Sequence, residues 1–501
     1  MVLAAMSCGG CSFSPHPQDG VVPCSAGCLS GYVCGPYNYC YTPDSPWLHE
    51  DAAPIDATPP SGPMVVGRGA HTATLLTTGK VLITGGTSVG GSLADAELYD
   101  PVTETFTRTG SMTTARTLHT AALLQNGQVL ITGGYANGPN SDLASAELYD
   151  PATGLFTSTG SLASPKTKHA SALLPNGKLL IVGGEEGGSE LQSAETYDPA
   201  SGTFSYAGAL DYPRAQLTAT LLQNGKVLIV GGYNIDCSFP APTYCLIVYH
   251  AEAELYYYAA GILTPTGSMT AGRVDHTATL LANGKVLIAG GDIDNADYST
   301  TILSSVELYD TGSGKFTTAT SLIVARAKHT ATVLQDNTVL IAGGSGTTPA
   351  SAELYHPDTG EFVPTGFLKT LRARHTATLL PTGQVLIAGG DATTESGAPL
   401  ASAELYDPIS GTFRDVGTAP SGQFDAGSGV GRLDAPSSGQ VDSGSGDGAM
   451  DYHPVGRVDA GSPNSGVDAP SPGQVDTRGG DGGAYPVSDA PGVDNRATGA
   501  D

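Results

Sequence analysis

One sequence pattern recurs seven times between residues 64 and 417, and this repetition limits the fold more than any other feature of the chain. Each copy contains a Gly-Gly pair, and successive pairs are 46 to 59 residues apart. The first glycines of the pairs are Gly85, Gly133, Gly183, Gly231, Gly290, Gly343 and Gly389. The predicted units are residues 64–111, 112–161, 162–208, 209–267, 268–320, 321–366 and 367–417. The pattern therefore predicts one repeat domain.

The second unit shows the plan that all copies share. Arg116 is followed three residues later by His119, then by an apolar run that ends at Gly133 and Gly134, and later by Glu147 within the sequence SAELYDP. The apolar runs are short, and Asn-Gly, Thr-Gly or Asp-Pro turns separate them, so they are typical of β-strands. Four strands in each of seven units predict an all-β, seven-bladed propeller. The high glycine content (68 residues) and the low charged fraction (14%) agree with many tight turns.

These residues resemble kelch repeats, through the Gly-Gly pair after the second strand, the Glu-x-Tyr-Asp sequence of the third and the single aromatic residue of the fourth. The similarity is to a bacterial secreted or lipoprotein-type variety in which Phe stands where many kelch units have Trp. The resemblance implies a binding scaffold and, in some relatives, an enzyme. Kelch copper radical oxidases need a Cys beside a ligating Tyr and two His, whereas this propeller has only the cysteines Cys237 and Cys245.

Length variation is concentrated in one connection of each unit. The separation from the second Gly of the pair to the Glu of the third strand is 11, 13, 11, 22, 16, 9 and 14 residues in successive units. In an antiparallel blade, the second connections share one face of the disc with the links between blades. Loops on a rigid scaffold often carry binding specificity, so this face is the predicted binding surface. Drift in the length of tolerant loops is the competing explanation.

The fourth unit departs most from the plan. Its long second connection contains the aromatic residues Phe239, Tyr244 and Tyr249 and the close pair Cys237 and Cys245. We predict a disulfide between these cysteines and a binding role for the three aromatics, because a cross-linked aromatic loop suits recognition. The alternative is that the disulfide only stabilises an accidental insertion that has no binding role. Asp292 and Asp294, in the next unit, are also predicted binding residues on this face.

The recurrent polar residues are interpreted as structural. A His stands at one position in six units, which would suggest a ring of metal ligands. The repeat itself explains this recurrence, however, and separate blades would hold the side chains too far apart to bind one metal ion. No metal site is predicted. Seven Arg or Lys residues match seven Glu residues, and we expect ion pairs within or between blades. A cationic collar for an anionic ligand is the functional alternative.

The predicted function is an extracellular or cell-surface interaction module that binds a protein or a polysaccharide, without a cofactor and as a monomer. No serine-nucleophile motif is visible in the sequence. The alternative is a secreted hydrolase or galactose-oxidase-like oxidase with its site on the same face. Glu185, Glu186, Asp292 and Asp294 supply carboxylates there, which are also expected in an acidic protein.

The two ends of the chain differ from the repeats. Residues 1–63 hold six cysteines, and Met1 to Ser7 before Cys8 resemble the end of a lipoprotein signal, so Cys8 is a lipidation candidate. The cysteines indicate disulfides in an oxidising compartment, with a zinc site as the weaker alternative and the pairing left open. Residues 418–501 are rich in Gly, Ser, Asp and Pro and predict a disordered acidic tail.

The net charge of −26 argues against nucleic-acid binding, because no segment of the chain is basic. No apolar run reaches the length of a membrane-spanning helix, so the sequence predicts at most a lipid anchor.

Overall fold

The structure is a computed structural model that describes residues 63–416, except 139–140, 238–244, 296–298, 347–349 and 393–396, and three short strands before them. These strands, Val22–Pro23, Val33–Cys34 and Tyr39–Tyr41, form a small antiparallel sheet in which Tyr39–Tyr41 is central. The predictions for Cys8 and for residues 418–501 lie outside the described residues. No membrane-spanning helix is present in the part of the chain that the structure describes.

Residues 64–416 form seven antiparallel sheets of four strands, each built from strands in chain order, which confirms the seven-bladed propeller. The first strands are Thr72–Leu75, Thr120–Leu123, Ala170–Leu173, Thr218–Leu221, Thr277–Leu280, Thr330–Val333 and Thr376–Leu379. The second strands are Val81–Thr84, Val129–Thr132, Leu179–Val182, Val227–Val230, Val286–Ala289, Val339–Ala342 and Val385–Ala388.

The outer half of each blade consists of the third and fourth strands. The third strands are Ala96–Asp100, Ala146–Asp150, Ser193–Asp198, Glu252–Tyr257, Val306–Asp310, Ser351–His356 and Ala403–Asp407. The fourth strands are Thr105–Arg108, Leu155–Ser158, Thr203–Ala209, Ile262–Ser268, Lys315–Thr318, Glu361–Phe367 and Thr412–Asp415.

Turn chemistry explains why the strands begin and end where they do. In the second blade, Asn126 Oδ1 accepts a hydrogen bond from Gln128 N at 3.1 Å, and Gly127 adopts a positive φ of 85°. Glycine takes this conformation without steric cost, so Asn-Gly turns the chain within two residues. At the third connection, Asp150 Oδ1 accepts from Ala152 N at 2.9 Å. These first and third connections share one side of the disc, here called the turn face, and the opposite side is the loop face.

The apolar core lies between the blades. All second strands are buried along their whole length, as the sequence predicts for sheets packed on both sides. Each of the seven apolar clusters combines two neighbouring blades, and Leu82 of blade one meets Val129 and Tyr149 of blade two in this way. Neighbouring first strands contact each other around the ring and therefore surround the axis.

The Gly-Gly pairs allow the blades to meet at the axis. A methyl group on Gly85 would lie only 2.4 Å from the carbonyl oxygen of Arg116 and 2.8 Å from the His119 ring, both in the next blade. Gly86 N donates to the same Arg116 carbonyl at 2.9 Å. Any larger residue at Gly85 would push two blades apart.

The predicted ion pairs form in all seven blades, and each lies within a single blade. Arg116 Nη2 contacts Glu147 Oε1 at 2.8 Å, and Arg116 Nη1 donates to the carbonyl oxygens of Gly133 and Ser145. Both side chains of this pair are buried. Burial lowers the pKa of Arg116, and the bonded Glu147 carboxylate opposes that shift. The pairs are Arg68–Glu97, Arg116–Glu147, Lys166–Glu195, Arg214–Glu254, Arg273–Glu307, Arg326–Glu353 and Arg372–Glu404.

Among the described residues, the ring closes without an exchanged strand. Blade seven takes all four strands from Thr376–Asp415, within the predicted unit 367–417. Blade one is joined to it by Met64 N, which donates to Ala401 O at 2.9 Å, and by the ion pair of Arg414 with Glu104, at 2.7 Å between Nη1 and Oε2.

Candidate functional site

The loop face carries the second connections, and the structure orders most of them as short hairpins. Four of these hairpins pair the strands Thr87–Ser88 with Gly91–Ser92, Glu185–Glu186 with Ser189–Glu190, Tyr233–Asp236 with Leu246–Tyr249, and Asp292–Asp294 with Thr300–Ile302. In blade six, Ser345–Gly346 pairs with Arg326–Ala327 instead. The loops of variable length are therefore built on the rigid rim of the central channel.

A ring of seven residues, one from each blade, surrounds the mouth of the channel on this face. We call it the mouth ring: Ala70, Leu118, Lys168, Gln216, Asp275, Lys328 and Arg374. All seven have a positive φ between 49° and 57°, although none is glycine. This conformation costs a non-glycine residue about 1–2 kcal/mol. Such strain persists where the surrounding structure imposes it, and it is concentrated at functional sites.

Main-chain hydrogen bonds between blades hold the mouth ring. Leu118 N donates to Ala70 O at 3.3 Å, and Ala70 N donates to Arg374 O at 3.2 Å across the seam of blades seven and one. Corresponding bonds join Lys168 to Leu118, Gln216 to Lys168, Lys328 to Asp275 and Arg374 to Lys328. The backbone thus fixes the position of each side chain independently of its chemistry.

The recurrent histidines lie directly below the mouth ring and bind neighbouring blades. His119 Nε2 is 3.0 Å from Thr72 Oγ1 of the preceding blade, and His71 Nε2 is 3.0 Å from Thr376 Oγ1 at the seam. Similar bonds join His169 to Thr120, His276 to Thr218, His329 to Thr277 and His375 to Thr330. Burial and, secondly, the charge of a neighbouring Arg or Lys lower the imidazole pKa to about 3 at His119, His169, His276 and His375. These imidazoles are therefore uncharged, and they join neighbouring blades through hydrogen bonds.

Each cation of the mouth ring meets a carboxylate from a second connection. Lys168 Nζ is 2.8 Å from Glu185 Oε1, and Arg374 Nη1 is 3.7 Å from Asp391 Oδ2. Burial raises the pKa of Asp391, and the nearby Arg374 charge acts against that shift. Lys328 Nζ lies between two carboxylates, as described below. The channel mouth, a cavity of about 470 Å³, therefore presents both signs of charge.

The blade-four hairpin, Tyr233–Asp236 with Leu246–Tyr249, is the longest on this face, and a disulfide closes it. Cys237 and Cys245 form the predicted bond. The hairpin is tied to blade three, because Tyr233 Oη donates to Glu185 Oε2 at 3.0 Å and Ile235 N donates to Glu190 Oε2 at 3.1 Å. Its aliphatic residues nevertheless stay exposed: Ile235 by 42%, Leu246 by 49%, Ile247 by 46% and Val248 by 38%.

Three of the five predicted binding residues line one cavity of about 440 Å³ between blades four, five and six, here called the side cavity. Tyr249 Oη donates to Asp294 Oδ2 at 3.0 Å and accepts from Asp294 N at 3.0 Å. Burial raises the pKa of Tyr249 to about 12, so its hydroxyl remains a donor. Asp292 Oδ2 is 3.7 Å from Lys328 Nζ, which is also 3.5 Å from Asp275 Oδ2.

The remaining two predicted binding residues, Phe239 and Tyr244, lie outside the described residues. The walls of the side cavity are apolar where Ile235, Ile247 and Ile302 face it. The cavity therefore joins an aliphatic wall to a polar floor, which is the usual composition of a ligand site.

Sequence reasoning missed the mouth ring. Its residues occupy the position directly before the recurrent His, inside the otherwise regular Arg-x-x-His sequence. Aligning the seven copies would have shown a position that changes from Ala to Leu, Lys, Gln, Asp or Arg between framework residues that recur. This variable position between recurring residues is the signal that the sequence offers for the mouth ring, but it does not reveal the left-handed backbone conformation.

Two stretches of the chain, residues 68–113 and 166–210, match the family model of the Kelch motif. Both matches begin at the Arg or Lys of the buried ion pair. The seven-bladed architecture described above agrees with them. The domain is a kelch-repeat β-propeller.

Among solved structures, the kelch propeller is similar to a fungal alcohol oxidase of the AA5 family in complex with copper. The TM-score is 0.53 and the sequence identity 19%, over 68% of this chain and 74% of the oxidase. At this identity the likeness concerns the fold alone. No curated protein sequence matches this chain.

The described residues do not fit a copper site of the kind that the family resemblance implies. Cys237 and Cys245 are bonded to each other, so neither is available beside a tyrosine. Each channel histidine directs Nε2 to a threonine of the neighbouring blade. Within the residues described, no group of three or more His, Cys, Asp or Glu side chains is arranged to hold a metal ion.

Proposed function

We propose that the kelch propeller is a binding module that recognises a partner protein through its loop face, with the blade-four hairpin and the side cavity at the centre. The observation that carries this proposal is the exposed aliphatic pair Ile235 and Ile247, which face each other across the hairpin and line a cavity with a polar floor. Leu246 and Val248 are exposed on the other side of the same hairpin. Exposed aliphatic patches rimmed by polar groups are typical of interaction sites.

An aromatic anchor extends this surface. Tyr212 is 51% exposed, and its ring stacks on His250 with a centroid distance of 5.4 Å. His250 is itself held by Asn234 Oδ1, 2.7 Å from Nε2. A tyrosine fixed in this way offers a large contact area at a low entropic cost, which is characteristic of interface hot spots.

The hairpin is preorganised for binding. The disulfide closes its tip, Tyr249 joins it to Asp294 of blade five, and Tyr233 joins it to Glu185 of blade three. Because these bonds already order the hairpin in the free protein, a partner does not have to immobilise it.

The proposal includes an extracellular or cell-surface location. The Cys237–Cys245 disulfide supports it, because exposed disulfides persist in oxidising compartments and are reduced in the cytosol. The alternative that the sequence leaves open, a secreted enzyme on the same face, stays a prediction.

A loop exchange tests the proposed function. The full chain is screened against an array of secreted and cell-surface proteins, and any ligand is measured again with a variant in which the blade-three connection 185–194 replaces residues 233–253. The control variant carries the same insert in place of residues 345–352 of blade six. We expect at least tenfold weaker binding, about 1.4 kcal/mol, for the blade-four exchange only.

Two results would contradict the proposal. Unchanged affinity together with a normal melting profile would move the site away from the blade-four hairpin. Loss of folding in the blade-four exchange alone would show that the hairpin is a structural element.

A further inference from the structure

On the turn face, two hydrogen bonds seal most junctions between blades. At the junction of blades one and two, Gly110 N donates to Gly154 O at 2.9 Å, and Thr109 Oγ1 lies 2.9 Å from Tyr149 Oη. The same two bonds recur at the junctions of blades two and three, four and five, and six and seven, with the threonines Thr159, Thr266 and Thr365. The outer strands are thereby held close together.

The junction of blades three and four departs from this plan. Ala207 stands at the position of the sealing threonine, so Tyr256 faces a methyl group in place of a hydroxyl. Gly208 adopts a positive φ of 112°, and a methyl group on it would lie 3.6 Å from Gly261 O. The main-chain bond from Gly110 N to Gly154 O has no counterpart between Gly208 and Gly261 among the described residues. Both bonds of the seal are therefore missing at this junction.

A cavity of about 400 Å³ lies at this junction, and we call it the blade three–four cleft. Three tyrosines line it, at different depths: Tyr256 is buried, Tyr258 is half-buried, and Tyr206 is 74% exposed. Polar groups come from Asn176, Lys178 and Thr196 of blade three. The cleft combines flat aromatic surfaces with hydrogen-bonding side chains.

Part of this cleft is formed where the sequence of blade four departs from the repeat pattern. Tyr258 replaces the proline of the Asp-Pro turn, and Tyr257 replaces the aspartate. Tyr257 retains the structural role of that aspartate, because Lys226 Nζ donates to its hydroxyl at 3.1 Å, as Lys80 contacts Asp100 in blade one. Tyr258 makes no such bond to a described residue; it packs against the apolar cluster between blades three and four and lines the cleft.

We propose that the blade three–four cleft is a second binding site, on the face opposite the loops, and that its ligand is a neutral saccharide. Sugar rings present apolar C–H faces that pack on tyrosine rings, and hydroxyl groups that bind amide, ammonium and hydroxyl side chains. The cleft has one cation, Lys178, and Asp198 Oδ2 pairs with it at 3.0 Å. An acidic saccharide would also be repelled by the net charge of −26.

The test uses the full chain and a panel of neutral hexasaccharides (cellohexaose, chitohexaose, xylohexaose and mannohexaose), measured by isothermal titration calorimetry. We expect at least one to bind, and the variants Tyr206→Ala and Tyr258→Ala to weaken it at least tenfold. Phe367→Ala, which truncates an aromatic side chain of blade six that is 64% exposed, is the matched control and should bind normally.

A further variant separates binding from folding. Ala207→Thr restores the threonine that seals other junctions, so it should raise the melting temperature while it weakens saccharide binding. A damaged fold would not produce that combination.

Three outcomes would overturn the proposal: no binding of any neutral hexasaccharide, binding that neither Tyr206→Ala nor Ala207→Thr weakens, or preferential binding of hyaluronan hexasaccharide or of a proline-rich peptide at this cleft. None of them bears on the loop face, because Tyr206, Ala207 and Tyr258 line the blade three–four cleft and belong neither to the side cavity nor to the blade-four hairpin.

Discussion

Leu217 of blade four and Ala170 of blade three share one apolar cluster, at the position where the other six junctions join an imidazole to a threonine hydroxyl. Both partners have changed together. A histidine facing Ala170 would lose its hydrogen-bond partner, and a threonine facing Leu217 would bury a hydroxyl without its histidine partner. The junction thus has two compatible solutions, one polar and one apolar.

The apolar solution should be transferable to another junction. We expect the double variant Thr330→Ala/His375→Leu to fold with nearly normal stability, because it copies a pair that this protein already uses and the residue opposite Thr330, Ala342, has no hydroxyl to leave unpaired. His375→Leu alone removes the bond that Thr330 Oγ1 makes at 3.0 Å and should cost about 1–3 kcal/mol. Chemical denaturation of the three proteins checks this. A double variant less stable than the single one would refute the compatibility of the pair.

The histidines also predict how stability depends on pH. In the folded chain the pKa of His375 is lowered from 6.5 to about 3, so below pH 6.5 the unfolded chain binds a proton that the folded chain does not. Stability from such a histidine is complete above pH 6.5 and falls as the pH decreases towards 3, by about 1.4 kcal/mol per pH unit. Between pH 7.5 and pH 5.5, the free energy of unfolding of Thr330→Ala/His375→Leu should therefore fall less than that of the unmutated protein. An equal loss would contradict the buried, neutral imidazole.

A single substitution at the seam of the ring should stabilise the protein. Tyr99 Oη is buried without a hydrogen-bond partner among the described residues, and Val416 occupies the place of the threonines that bind the corresponding tyrosines. Val416→Thr should supply the partner and raise the free energy of unfolding by about 1 kcal/mol. Thr109→Val, which removes the partner of Tyr149, should lower it. Val416→Ala controls for the lost methyl groups, and a Val416→Thr protein no more stable than the wild type would count against the idea.

The buried ion pairs should respond very differently from the exposed ones. Arg116→Met leaves the Glu147 carboxylate buried without its cation and should cost about 3–5 kcal/mol. Arg116→Lys should cost less, because Lys166 serves the same position in blade three. Lys80→Met is the matched control, since its pair with Asp100 is partly exposed and should contribute at most about 1 kcal/mol. Thermal melting of the three variants gives the order, and equal losses for Arg116→Met and Lys80→Met would be the contrary result.

The fold was predictable from the sequence because its determinants are local and repeated. Gly133, Glu147 and the short apolar runs recur at fixed offsets, so seven copies support one another. The ion pairs and the Cys237–Cys245 disulfide were predictable for the same reason, since each partner has a regular place or a close neighbour in the chain.

The site was predictable only in part, because its contacts join residues from different blades. The bond between Tyr249 and Asp294 links two loops of unequal length, and no local pattern specifies that pairing. The blade three–four cleft depends on Ala207, whose effect appears only when the outer strands of two blades are compared. The left-handed backbone of Lys168 or Arg374 is imposed by neighbours and not by the residue itself.

The residues that the domain needs in order to fold are different from the mouth-ring residues that it presents at its surface. Main-chain bonds hold Ala70, Leu118 and their counterparts, so a mutation there alters the surface and leaves the framework of Arg, Glu, His and Gly unchanged. Substitutions at the mouth ring can therefore change the binding specificity of the channel mouth one blade at a time, while the fold stays stable. The same property makes these seven codons a natural place to randomise in a library selected for new ligands.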